Sequence, residues 1–77
     1  MEDVVRNLRE ARVEKLYSLR ELAKVAGVST ATLFDAESGK RMPNFNTIRR
    51  IALALDIAPL DVEEFKAAIE LRGKDAA

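Results

Sequence analysis

Residues 18–39 constrain the fold of this chain most, because two helical patterns there meet at a glycine. Apolar residues recur at the spacing of one helix face, at Leu19, Leu22, Ala23 and Ala26. Gly27 ends this pattern, since glycine adopts the left-handed conformation after a helix without strain. Ser29 can then cap a second helix, which Gly39 ends in the same way. The stretch therefore predicts two short helices joined by a tight turn.

The turn between these two helices indicates which helical motif they form. Ser18 is a good N-cap for the first of them, and Glu21 three residues later completes a capping box. Val28 supplies an apolar plug in the turn. Two helices joined by a turn of about three or four residues that contains glycine match the helix-turn-helix, whose second helix enters the major groove of DNA.

The rest of the chain continues the helical pattern on both sides. We predict helices over residues 3–16, over residues 45–55 and from Pro59 onward, which gives an all-α, five-helix fold. A chain of 77 residues makes one domain, predicted to span residues 1–72. The tail at residues 73–77 is predicted to be disordered.

The chain resembles the lambda-repressor-like family, also called the Cro/repressor or xenobiotic-response-element type. The resemblance lies in the order of the segments LRELAKVAGVSTATL, ESGKRMPN and TIRRIALALDI, and it covers roughly residues 5–60. It implies a lambda-repressor-like DNA-binding domain that acts as a sequence-specific transcriptional regulator. Members of the family commonly repress by binding a palindromic operator as a homodimer.

The second helix of the motif presents one outward arc of side chains. At about 100° per residue this arc holds Thr30, Ala31, Phe34, Asp35 and Ser38. Leu33 and Ala36 fall on the opposite side and are predicted to be core. The resemblance implies base reading at Thr30, Ala31 and Asp35, and Phe34 can join them by packing on thymine methyl groups. Because the arc lacks the Arg, Lys, Gln and Asn of strong bidentate base contacts, a protein contact through Phe34 and Asp35 stays open.

Polar and basic groups around the arc are candidates for contacts with DNA phosphates. Arg20 and Lys24 lie one turn apart on the helix before the arc. The resemblance implies phosphate or sugar contacts at Thr32 and Ser38, and it implies that the loop after the arc follows the DNA backbone through Lys40, Arg41 and the backbone N–H groups near Asn44. Such contacts fix register but carry no sequence information. The alternative for Arg20 and Lys24 is simple solubility. Lys40 and Arg41 can instead complement the dipole at the helix C-terminus, or pair with Asp35.

Positions near the motif have structural roles that the resemblance implies. The family often pairs a base at the position of Arg12 with an acid at that of Glu37, so we expect an ion pair locking the first helix to the third. Leu16 stands where the family often has Gly, so either the first helix runs longer or Leu16 packs into the core. Tyr17 is expected in the core. Leu19 replaces a Gln that commonly contacts phosphate.

The last helix carries two apolar stripes. One stripe, predicted to cover the core, holds Val62, Phe65 and Ile69. The nearly opposite stripe, a possible homodimer face, holds Leu60, Ala67 and Leu71. The alternative is a frayed end with scattered apolar residues. Asn44 is predicted to cap the fourth helix, and the stripe that begins at Phe45 is likewise predicted to be core.

Charge and composition limit the function further. The net charge is zero, but residues 18–50 carry +3 and residues 51–77 carry −3, so the predicted motif is the positive part. Without cysteine or histidine there is no thiolate metal site and no imidazole for acid–base chemistry, so no enzyme activity, cofactor or metal is expected. No apolar run is long enough to span a membrane, and MEDVVRNLRE is too charged for a signal peptide. We therefore expect a cytoplasmic protein associated with a bacterial or phage nucleoid.

Two functions remain at this point. The first is a regulator that binds specific sites on double-stranded DNA. The second is a protein-interaction module on the same scaffold, such as the antitoxin or anti-repressor member of a pair, with weak or no specific DNA binding. The Phe34/Asp35 pair, the acidic C-terminal segment and the zero net charge favour this second reading.

Overall fold

The computed structural model describes residues 6–75, with side chains described through residue 73, and confirms the all-α, five-helix prediction. The helices are α1 (Leu8–Glu14), α2 (Leu19–Ala26), α3 (Thr30–Ser38), α4 (Phe45–Leu55) and α5 (Glu63–Asp75), with a 3₁₀ turn at Pro59–Asp61 between α4 and α5. None of the helices in the described range has the length and apolar content that a membrane span requires.

The helices α1 to α4 each begin at a side chain that caps free backbone N–H groups. Ser18, Ser29 and Asn44 cap α2, α3 and α4, as the sequence predicts, by accepting from the N–H groups of Glu21, Thr32 and Thr47. Asn7 caps α1 within a capping box that we did not predict. These caps fix where each helix starts.

The first helix is shorter than the predicted span of residues 3–16. It begins at Leu8, because the backbone of Arg6 pairs instead with the segment before α5. The Arg6 N–H donates to the Asp61 carbonyl at 3.0 Å, and the Glu63 N–H donates to the Arg6 carbonyl at 2.8 Å. Residues 3–5 of the predicted helix lie outside the described residues.

Leu16 contradicts both alternatives that we gave for it. It neither extends α1 nor enters the core: it has φ of 65° and its side chain is 89% exposed. The Tyr17 N–H donates to the Arg12 carbonyl at 3.2 Å, and the Leu16 N–H donates to the Val13 carbonyl at 2.9 Å. These two hydrogen bonds form a Schellman motif at the end of α1, the same motif that Gly27 forms at the end of α2. In α1 a leucine therefore occupies the left-handed position that suits glycine.

The apolar residue after each of these left-handed turns packs inward. Tyr17 follows Leu16, Val28 follows Gly27, and Ile57 follows the left-handed Asp56. All three are partly buried against the core. Tyr17 is therefore at the edge of the core rather than inside it, and each helix end is tied to the core by the residue that follows it.

The core lies where α1, α2, α3, α4 and α5 converge. Its fully buried large side chains are Leu8, Leu22, Leu33, Ile51, Leu55, Val62 and Phe65. The prediction that Phe45 is core is wrong, because as the first residue of α4 it lies at the rim and is 42% exposed.

The chain after α4 differs from the predicted helix starting at Pro59. Pro59 opens only the 3₁₀ turn, since Val62 is extended and pairs with Arg6, which separates the turn from α5. Val62 and Phe65 are buried and Ile69 is partly buried, as predicted for the core stripe. The helix α5 is described as far as Asp75, within the segment predicted to be disordered. Residues 76–77 lie outside the described residues.

Candidate nucleic-acid interface

The turn between α2 and α3 is held by backbone hydrogen bonds and by burial of both helices. The Val28 N–H donates to the Ala23 carbonyl at 3.0 Å, and the Gly27 N–H donates to the Lys24 carbonyl at 3.2 Å. The buried residues of the two helices are Leu22, Ala23, Ala26, Leu33 and Ala36. With one side of α3 committed to the core, the opposite side faces outward.

The outward side of α3 is the predicted arc. Thr30, Ala31 and Ser38 are exposed, Phe34 is 54% exposed, and Asp35 is partly buried. The structure therefore brings the four predicted base-reading residues, Thr30, Ala31, Phe34 and Asp35, onto one accessible face of a capped helix. None of these side chains is required to fill the core.

The predicted ion pair between Arg12 and Glu37 is present and ties α1 to α3. Arg12 Nε lies 2.6 Å from Glu37 Oε2, and Arg12 Nη2 lies 3.2 Å from Glu37 Oε1. Arg12 Nη1 also donates to the Tyr17 carbonyl at 3.0 Å. Since the side chains are only 12% and 8% exposed, this bidentate contact holds α3 against α1.

The candidate phosphate contacts divide into exposed cations and polar groups that already form hydrogen bonds. Arg20, Lys24, Lys40 and Arg41 are exposed on α2 and on the loop after α3. The hydroxyls of Thr32 and Ser38 are partly engaged: Ser29 Oγ donates to Thr32 Oγ1 at 2.8 Å, and Ser38 Oγ donates to the Asp35 carbonyl at 3.3 Å.

Asn44 caps α4 as predicted, and Asp35 contacts the loop after α3 through its backbone carbonyl. Asn44 Oδ1 accepts from the Thr47 N–H at 2.8 Å, so the side chain is occupied as a cap. Within the described part of the chain, the carboxylate of Asp35 forms no ion pair with Lys40 or Arg41. Those residues instead donate their backbone N–H groups to the Asp35 carbonyl, at 3.0 and 3.3 Å.

Two features of this surface were not found from the sequence. Arg50 of α4 donates through Nη1 to the Gly27 carbonyl at 3.3 Å, which places its guanidinium beside the turn of the motif. A cleft of about 330 Å³ also opens between α1, α2 and α3. Its lining is Arg9, Arg12, Leu19, Phe34, Glu37 and Ser38. Both features depend on how the helices pack against one another, which the sequence pattern of a single helix does not give.

The possible dimer face does not form one helix stripe. Leu60 lies on the 3₁₀ turn, whereas Ala67 and Leu71 lie one turn apart on α5. All three are exposed. Among the residues that the structure describes, no group of three or more His, Cys, Asp or Glu side chains could hold a metal ion.

Comparison with known proteins agrees with this geometry. A family model described as Helix-turn-helix matches residues 8–62. The chain is also 35% identical over 72 residues to the ImmF control region 10 kDa protein of Bacillus phage phi105, covering 91% of this chain and 79% of that protein. No solved structure matches the chain. The chain belongs to the lambda-repressor-like, Cro/repressor-type helix-turn-helix family, a family of DNA-binding transcription regulators rather than enzymes.

Proposed function

We propose that this protein is a repressor that recognises a palindromic DNA operator as a homodimer, with α3 in the major groove. The observation that carries the proposal is the accessible arc of Thr30, Ala31, Phe34 and Asp35 on a helix held by a cap and by the Arg12–Glu37 pair. A helix fixed in this way needs no ordering of its backbone on binding, so only its side chains lose conformational freedom. The similarity to a phage control-region protein supports a regulatory role.

Cations on both sides of α3 supply the contacts that set its position. Arg20 and Lys24 lie on α2, and Lys40 and Arg41 lie on the loop that follows α3. In this proposal they bind phosphates on either side of the groove, while α3 contacts base edges. Thr32, Ser38 and Asn44 contribute through the hydrogen-bonding capacity that their internal contacts leave free.

Dimerisation would place two copies of α3 about one helical turn of DNA apart. The exposed side chains of Ala67 and Leu71 on α5, together with Leu60, are the surface that we propose for this contact. A two-fold axis through this surface would make the contact self-complementary, as in most homodimers.

Selection from a randomised duplex DNA library at moderate salt tests the function. We expect enrichment of an inverted repeat with half-sites about one turn apart, and a complex of two chains per duplex in sedimentation. Leu71→Glu should reduce that stoichiometry, whereas the matched change Leu53→Glu, at a leucine exposed on α4, should not. Binding without enrichment would indicate backbone contacts only and would refute specific recognition.

A protein-interaction module is the second candidate, because Phe34 is 54% exposed and adjoins Asp35 on the same arc. Asp35→Ala tests whether this acid takes part in base reading. If Asp35 accepts a hydrogen bond from cytosine N4, its loss should relax specificity at one base position by about 1–3 kcal/mol. Unchanged or tighter DNA binding would mean that Asp35 has no role in base reading.

A further inference from the structure

Phe34 and Leu19 are the two apolar side chains that line the cleft between α1, α2 and α3. Phe34 lies on the α3 arc, toward the side of the helix that carries Glu37, and Leu19, the first residue of α2, is partly buried. The cleft between them has a volume of about 330 Å³ and also reaches Arg9 of α1. Two residues that are separate in sequence therefore present one apolar surface.

Two of the charged side chains that line the cleft form an ion pair with each other. Arg12 and Glu37, which also line it, neutralise each other through the bidentate contact described above. Side chains fixed in this way leave little room for the cleft to collapse around an exposed aromatic ring. An occupant would thus meet the side chains of Phe34 and Leu19, with the exposed cation Arg9 as a further lining residue.

The surroundings of the cleft match DNA better than an apolar protein segment. The cation Arg9 lies at its edge, and the exposed cations Arg20 and Lys24 lie on the same helix as Leu19. The cleft is also continuous with the α3 arc through Phe34 and Ser38. Positive charge beside apolar side chains complements DNA, which has negative phosphates and apolar methyl groups in its major groove.

We propose that Phe34 and Leu19 recognise the C5-methyl group of a thymine in each operator half-site. Thymine is the one base whose major-groove edge carries a methyl group, and apolar side chains discriminate bases by contacting it. Burial of that methyl group and the two apolar side chains away from water favours thymine over a base that lacks the methyl group. This inference rests on the proposed function and specifies which base feature the helix reads.

The size of the effect follows from burial of one methyl group, which corresponds to about a fourfold change in affinity. Replacing thymine by deoxyuridine removes only the methyl group and leaves base pairing unchanged. At the recognised position, substitution in one half-site should weaken binding about fourfold, and substitution in both half-sites about 15-fold. Deoxyuridine at thymines elsewhere in the enriched operator should leave affinity unchanged.

The experiment scans the operator enriched by selection with deoxyuridine at each thymine, using fluorescence anisotropy for the wild-type chain and three variants. Phe34→Ala and Leu19→Ala should bind the methylated and unmethylated duplexes nearly equally. Leu53→Ala, a matched loss of an exposed leucine on α4, should keep the wild-type preference. Circular dichroism confirms that each variant folds.

Three results would overturn the inference. An operator whose affinity is insensitive to deoxyuridine at every thymine would contradict methyl recognition while leaving the proposed regulator intact. Phe34→Ala that retains the full preference would move recognition to another side chain. A failure to enrich any duplex would refute the proposed function itself and, with it, this base preference.

Discussion

Arg12 and Glu37 link the helix that is proposed to read DNA to the helix at the start of the domain. Their side chains lie at the boundary of the core, and both are hydrogen-bonded. The described residues contain no buried side-chain N or O atom without a partner. Removing one partner would therefore destabilise the protein, because the other charge would remain largely buried without a counter-ion.

Glu37→Ala should lower the free energy of unfolding by about 3–5 kcal/mol, because the guanidinium of Arg12 would lose its counter-ion. Urea denaturation measures this change. The matched control is Glu14→Ala, which removes the acid of the exposed Arg6–Glu14 pair, with side chains 33% and 57% exposed. That change should cost no more than about 1 kcal/mol. Equal costs for the two variants would contradict a locking role for Arg12 and Glu37.

Leu16→Gly should stabilise the protein by about 1 kcal/mol, since leucine is strained in the left-handed conformation that it adopts after α1. Its side chain is exposed, so its removal costs little packing. Leu16→Ala serves as the control, because it deletes the same side chain but keeps the Cβ that causes the strain. A urea midpoint that rises equally in both variants would show that backbone strain is not the cause.

At the scale of elements, the start of α2 is defined by the Ser18–Glu21 capping box. The Ser18 backbone N–H donates to Glu21 Oε1 at 2.8 Å, and the Glu21 N–H donates to Ser18 Oγ at 3.0 Å. The backbone N–H of Ser18, and then its hydroxyl, lower the pKa of the Glu21 carboxyl from its ordinary value of 4.5. The charged form of Glu21 is thus favoured in the folded chain.

This lowered pKa makes a prediction about the pH dependence of stability. A carboxyl whose pKa is lower when folded stabilises the protein above its unfolded pKa of 4.5, and this contribution is lost as pH falls through the folded value. Glu21→Gln keeps a capping side chain without the charge. The stability difference from wild type should therefore be largest near neutral pH and disappear in acid.

Urea midpoints measured from neutral to acid pH test this expectation. Glu70→Gln, a matched change on an exposed position in α5, serves as the control for the general effect of removing an acid. If the difference between Glu21→Gln and wild type persisted unchanged at the lowest pH, the capping carboxylate would not be its origin.

The elements whose limits are set locally could be predicted from the sequence. Ser18, Ser29 and Asn44 act on backbone groups a few residues away, and Gly27 ends its helix through its own conformational freedom. The start of α5 could not be predicted because it depends on Arg6, far away in the sequence, whose backbone pairs with Val62. The spacing of apolar residues within one helix does not predict a contact with a residue far away in the sequence.

The same division applies to the site. The arc of α3 follows from helical phase alone, so its exposed and buried sides agree with the prediction. The Arg12–Glu37 pair could be anticipated only from the family resemblance. The cleft between Leu19 and Phe34 required the packing of α2 against α3, and the contact of Arg50 with Gly27 required the position of α4.

On the scale of the whole molecule, zero net charge conceals a separation of charge along the chain. Residues 18–50 carry +3 and residues 51–77 carry −3. The positive segment contains the α3 arc and the exposed cations on either side of it. Such a distribution directs association with a polyanion through one part of the surface, even though the chain as a whole is neutral.

Arg41→Ala should weaken binding to all DNA sequences about equally and reduce the slope of log affinity against log salt by about one unit. The reason is that each phosphate contact releases counter-ions. Lys15→Ala is the charge-matched control, since Lys15 lines a cleft with Glu14, Ile57 and Asp61 rather than with α3. Titrations at several salt concentrations measure both slopes, and identical slopes for the two variants would contradict a phosphate contact by Arg41.

If the exposed arc of α3 reads base edges, a changed side chain on the arc should change the DNA sequence that the protein prefers. Ala31→Asn places an amide that can bind adenine N6 and N7 at an exposed position of α3. The most direct measurement repeats the duplex selection with this variant and with Leu53→Asn on α4 as the control. Ala31→Asn should change the preferred base to adenine at one position of each half-site, with the rest of the operator unchanged. An operator identical to that of the wild type would contradict base reading by α3.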